Sequence, residues 1–176
     1  MATEQGTQEN SGFTLVGKGP AYHKQICSIL LLSRMFSDLE WLEIENLAPY
    51  FQCFKGAAGA VLFREGSKGS FLALLHDGMV EVSRRGSDNR ASVLDRVGPG
   101  NTIGEMAIID GEPRSATAVI VEPSTLILLN REEFNRLMKE KPLLGAKVVI
   151  RIARLLSQRL RKAGGTIATL LERGET

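Results

Sequence analysis

Polar residues dominate the chain up to Gly12, and the first sustained apolar pattern runs from Tyr22 to Phe36, where Ile26, Ile29, Leu30 and Leu32 suit a buried helix. Ser37 then opens a second helix, with Glu40 three residues on as the partner in a capping box. Leu39, Leu42, Ile44 and Leu47 form its buried side, Asp38, Glu40, Glu43 and Glu45 its solvated side, and Pro49 sets its limit. Beyond Pro49 the texture changes. Glycines recur from Gly56 to Gly111 between short segments rich in Val, Leu, Phe and Ile, a pattern of strands and turns. Phe71–Leu75 and Met79–Arg84 read as a hairpin through His76, Asp77 and Gly78, and Ala116–Val121 with Thr125–Leu129 as another. After Asn130 the glycines stop, and Arg131–Lys139 and Leu143–Lys162 read as helices interrupted by Pro142. Val149, Ile152, Leu156 and Leu160 recur at helical spacing, and Ala163, Ile167 and Leu170 carry the stripe on. Gly164 and Gly165 each weaken a helix by about 1 kcal/mol relative to alanine, which predicts a break or hinge there.

These elements predict a mainly β fold with flanking helices: an antiparallel β-barrel or jelly roll (a double-stranded β-helix) with N-terminal helices and a long C-terminal helix. Residues 1–21 are expected to be a flexible arm, 22–162 the folded domain, and 163–176 a hinge and C-terminal lid or tail. The 176 residues, 43% hydrophobic and 24% charged, fit one soluble domain. A net charge of +2 gives no global field favouring nucleic acid or membrane. The polar start lacks the apolar stretch of a secretory signal, and the longest aliphatic run, Ile29 to Leu32, is far short of a membrane span, so a cytoplasmic location without membrane contact is expected. Cys27 and Cys53 are too few and too far apart for a disulfide framework or a CxxC site, and His23 and His76 lack companions for a metal.

The chemistry concentrates in GEMAIIDGEPRSATA, Gly104 to Ala118, whose ingredients suit an anion. Gly104 permits close backbone approach, and a helical turn starting at Glu105 would present free N–H groups to a phosphate. Arg114 brings a full charge on a fork that matches two phosphate oxygens, while Ser115 and the Ala116 amide add neutral donors. Glu105 beside a phosphate makes sense as an acceptor for a ribose hydroxyl. One arginine with neutral amides fits the single charge of a cyclic phosphodiester better than a terminal phosphate. Singly, each residue has a plain structural reading as a turn, cap or solvated side chain.

In this order and spacing, Ile103-Gly104-Glu105-Met106-Ala107-Ile108 and Pro113-Arg114-Ser115-Ala116 resemble the phosphate-binding cassette of the cyclic-nucleotide-binding domain family, of the catabolite activator and cAMP-dependent kinase regulatory subunit type. The resemblance extends through Phe36-Ser37-Asp38-Leu39, Phe63-Arg64-Glu65-Gly66, Asp77-Gly78 and Gly98-Pro99-Gly100, covering about Tyr22 to Lys162. It implies that Arg114 holds the cyclic phosphate, Glu105 the ribose 2′-hydroxyl, and the Ala107 and Ala116 amides complete the cradle around Gly104 and Met106. The ligand so implied is cAMP or cGMP, with no cofactor. At the positions where the bacterial activator branch reads the base with Thr-Ser, this chain has Ala163 and Gly164, so adenine preference does not carry over; Val82 and Leu94 are the candidates for a wall against the base.

No nucleophile–base pair or general-acid constellation can be assembled, so a non-enzymatic sensor is expected. Its partners would be the cyclic nucleotide, a separate protein effector and, through the C-terminal helix, a second copy of itself. The short stretch after Lys162 predicts no helix-turn-helix output domain and hence no DNA binding. The alternative is a degenerate or divergent fold of this family that acts as an interaction module or takes a cyclic dinucleotide. Lys139, Lys141, Lys147, Arg151, Arg154, Arg159, Arg161 and Lys162 make the last helix basic, read either as a solvated face or as a surface for an acidic partner or larger phosphorylated ligand.

Overall fold

The computed structural model describes residues 12–69, 71–86 and 90–174; most of the expected N-terminal arm lies outside these. Strands β1 (Phe13–Gly17), β2 (Gln52–Gly56), β3 (Val61–Phe63), β4 (Phe71–Leu75), β5 (Met79–Arg85), β6 (Ala91–Val97), β7 (Thr102–Ile103), β8 (Thr117–Glu122) and β9 (Ser124–Asn130) form two antiparallel sheets. One has the order β1-β2-β9-β4-β7, the other β3-β8-β5-β6. Of the two expected architectures, the jelly roll is the one found, and no closed barrel forms among the described residues. Structure also begins earlier than expected: β1 pairs with β2, so residues 13–17 are not part of an arm.

The two hairpins read from the sequence are instead corners between sheets. β4 pairs with β9 and β7, while β5 pairs with β6 and β8, so the chain changes sheet at Asp77-Gly78. β8 and β9 likewise lie in different sheets. Turn residues mark where a strand ends; they do not say which strand pairs with it.

Alternation along the central strands builds two cores. In β4 and β9, Leu72, Leu74, Ile127 and Leu129 face the helices, while Ala73, Leu75, Leu126 and Leu128 face the other sheet. A strand buried on both faces reads as a continuous apolar run, which is what LILL and LALL are. Each leucine or isoleucine among them contributes roughly 1.5–3 kcal/mol by leaving water.

The helices are α1 (His23–Leu31), α2 (Trp41–Leu47), α3 (Glu105–Ile109), α4 (Arg131–Glu140) and α5 (Pro142–Gly174). α1 stops short of the expected Phe36. The capping box exists one step along the chain: Glu40 is the cap and Glu43 closes it, while Ser37 bonds back to the Arg34 carbonyl. Pro142 ends the run of α4 as expected and starts α5, where a missing N–H costs nothing. Gly164 and Gly165 do not break α5, which continues through them to Gly174, so the expected break is absent. Both sit in open space with helical geometry, so their propensity cost is tolerated. No helix of the described residues is long and apolar enough to cross a membrane.

Candidate functional site

The connection from β7 to β8 crosses from one sheet to the other and carries α3. At its start Gly104 has φ 77°, and a Cβ there would lie 2.4 Å from Nη1 of Arg114 and 3.0 Å from the Phe71 carbonyl oxygen. Glycine is therefore required twice over, by conformation and by contact. At its end the segment is bound to the β3–β4 loop: the Arg114 amide donates to the Ser67 carbonyl at 2.8 Å and the Gly66 amide to the Arg114 carbonyl at 2.8 Å. Gly69 also admits the segment, since a Cβ there would fall 2.2 Å from that of Ala107.

Arg114 is 4% exposed. Its Nη1 donates to the Gly104 carbonyl at 3.0 Å and its Nη2 to the Phe71 carbonyl at 2.8 Å. Phe63 and Phe71 flank the guanidinium, with ring centres 4.1 and 4.5 Å from Cζ. Among the described residues no carboxylate bonds it directly, and its Nε has no hydrogen-bond partner. Burial pushes its pKa down to about 10, against a partial lift from the charge of Glu105.

Glu105 is 1% exposed and is paired through Oε1 with Nη1 of Arg159 on α5, whose Nη2 also bonds the Thr102 carbonyl. Oε2 of Glu105 has no partner among the described residues. A buried cation and a buried anion, each with one unused hydrogen-bonding atom, thus line one cavity of about 180 Å³. Such atoms are costly unless something completes them.

Of the residues singled out in the sequence, Gly104, Glu105, Met106, Ala107, Arg114, Ser115, Ala116 and Val82 all line this cavity. Leu94 does not: it is 59% exposed. The register between β5 and β6 shifts there, with Val82 opposite Asp95 and Ser83 opposite Val93, so Leu94 is the bulged residue and Asp95 and Val97 face the cavity instead. Arg159, Phe63, Asp95 and Val97 were not identified as site residues from sequence. Arg159 stood among the basic residues of the last helix, with no local signal to set it apart. Ala163 and Gly164, the expected base-reading positions, do not line the cavity and are exposed.

A family model described as "Cyclic nucleotide-binding domain" matches residues 55–141. The crystal structure of a cyclic nucleotide-binding domain from Methylobacillus flagellatus KT superposes with a TM-score of 0.78 at 32% identity, covering 89% of this chain and 88% of that one. The chain belongs to the cyclic-nucleotide-binding domain family. Among curated relatives, the cyclic AMP receptor protein of Thermus thermophilus is 35% identical over 74% of this chain and 59% of its own length. A CRP-like cAMP-activated global transcriptional regulator of Mycobacterium tuberculosis is 27% identical over 81% of this chain and 62% of its own length. The chain thus spans about three fifths of these relatives.

Proposed function

We propose that this chain is a non-enzymatic sensor that binds a cyclic purine mononucleotide, cAMP or cGMP, in the cavity beneath α3. The observation that carries the reading is the pairing of two incomplete buried groups in one cavity: Arg114 with a free Nε, and Glu105 with a free Oε2. A singly charged phosphodiester would complete the first and a ribose hydroxyl the second. Both occur a few ångströms apart in one cyclic nucleotide. The names of the Thermus and Mycobacterium relatives, both referring to cyclic AMP, support the same class of ligand.

The output in this reading runs through α5. Arg159 bonds Glu105, so a hydroxyl arriving at Glu105 competes with or reinforces a contact made by the last helix, and a change there alters what a partner meets. That partner is a separate protein effector, a second copy of the chain along α5, or both. The apolar stripe supports the second copy: Ile152 is buried, but Leu160, Ile167 and Leu170 are 74%, 58% and 61% exposed. The Mycobacterium relative, named as a transcriptional regulator, makes DNA a partner to assay as well. Thermal-shift titration with cAMP, cGMP and a cyclic dinucleotide tests the ligand class. Stabilisation by either mononucleotide, saturating and absent with 5′-AMP, is expected; stabilisation by the dinucleotide alone, or by none, would overturn it.

A further inference from the structure

We propose that a second anion-binding site, suited to a phosphorylated small molecule, lies across Arg159 from the nucleotide cavity, between the turn after α1, the β6–β7 loop and α5. The cleft has a volume of about 320 Å³, and Arg34, Arg151, Arg154 and Arg159 line it together with a single carboxylate, Asp38. Arg159 is already committed to Glu105. Arg151 holds one oxygen of Asp38, at 2.7 Å from Nη2 and 2.8 Å from Nε. Arg154 reaches the other oxygen only at 3.8 Å, and the Arg34 side chain forms no hydrogen bond or ion pair among the described residues. Asp38 offsets one of the charges gathered along these walls and Glu105 another, and a bound anion would offset the rest.

Guanidinium groups bind phosphate oxygens through paired N–H donors, and Ser37, Asn101 and Gln158 add neutral polar groups to the same walls. The shape favours a small ligand over an acidic protein surface. The Arg151 side chain is 10% exposed, sunk where a flat patch of carboxylates does not reach but a compact polyanion does. Arg159 lines both cavities, so occupancy of one is linked to the other through a shared side chain. The site accounts for part of the basic character of the last helix, whose Lys147 is by contrast spoken for by Glu43.

Calorimetric titration of the full chain with inorganic pyrophosphate at fixed ionic strength tests the site without any cyclic nucleotide, so it stands apart from the ligand assigned to the first cavity. Saturable binding is expected, weakened at least about tenfold by Arg34→Ala with Arg154→Ala, two exposed positions whose loss leaves the melting temperature unchanged. Asp38→Asn should tighten binding several-fold by removing the internal competitor, and Arg114→Ala should leave it unchanged. No saturable binding to the wild type and to Asp38→Asn would overturn the proposal. So would affinity indifferent to the paired arginine substitution, or lost on Arg114→Ala, which would put pyrophosphate in the nucleotide cavity.

Discussion

Between Gly104 and Ala116, two charged side chains, Glu105 and Arg114, are 1% and 4% exposed; in the last turns of α5, Leu160, Ile167, Leu170 and Leu171 remain 58–74% exposed. The first region places charge where water is absent, and the second places apolar surface where water is present. Each is unfavourable taken alone. The cassette tolerates its charges because the rest of the domain frames it: two sheets flank it, the Gly66 and Ser67 backbone bonds hold Arg114, and Phe63 and Phe71 clamp its guanidinium. The end of α5 has no such frame. In the proposed reading, cost in the cassette is pre-organisation for a ligand, and cost in the helix end is surface for a partner.

The difference is broken most directly within α5 itself. Ile152→Ala, in the packed half, should cost about 2–5 kcal/mol in urea denaturation. Leu170→Ser, in the exposed half, should change the monomer's stability by less than about 0.5 kcal/mol. Equal effects would mean that the terminal turns are packed in solution. Next in size is Gly104→Ala, which forces a residue at φ 77° and drives a methyl against Arg114. It should lose about 1–2 kcal/mol of stability from conformation alone, and nucleotide binding with it.

Glu105→Gln keeps shape but removes the ion pair with Arg159 and weakens the acceptor, so affinity for cAMP should drop about tenfold. The preference of the wild type for ribo over 2′-deoxy cyclic nucleotide should disappear in this variant. If both forms bind wild type equally, Glu105 is a helix-positioning residue and no more. The smallest effect is that of pH. Arg114 has its pKa lowered by burial to about 10, so it is charged at neutral pH and affinity should be flat until pH approaches that value, then fall. Between about 10 and the higher value ordinary for a guanidinium, the unfolded chain keeps a proton the folded chain has released, so this group's contribution to stability becomes more favourable as pH rises. A nucleotide affinity that already falls between about pH 7 and 9 would point to another titrating group.

What the sequence made legible follows from how local each signal is. The cassette is a contiguous run, so Gly104, Glu105, Arg114 and their neighbours were found together. The apolar runs of β4 and β9 and the stripe on α5 are legible for the same reason. Strand pairing was not local: Asp77-Gly78 looked like a hairpin turn, yet its flanking strands belong to different sheets. Leu94 failed because one bulge reverses the facing of every residue beyond it, and Asp95 took its place. Arg159 is 54 residues from Glu105, and nothing in its neighbours distinguishes it from Arg154 or Arg161. The break expected at Gly164 is absent because propensity set against a long continuous helix is a weak prior.

In the proposed reading Arg114 is held, buried and partly unsatisfied, for a cyclic phosphate. Calorimetric titration of cAMP and cGMP into the wild type and into Arg114→Ala, with circular dichroism to establish that the variant is folded, tests it most directly. Saturable binding of at least one nucleotide to the wild type is expected, with a loss of about 2–5 kcal/mol, or at least about thirtyfold in dissociation constant, in the folded variant. Wild-type affinity in a folded Arg114→Ala protein would contradict it.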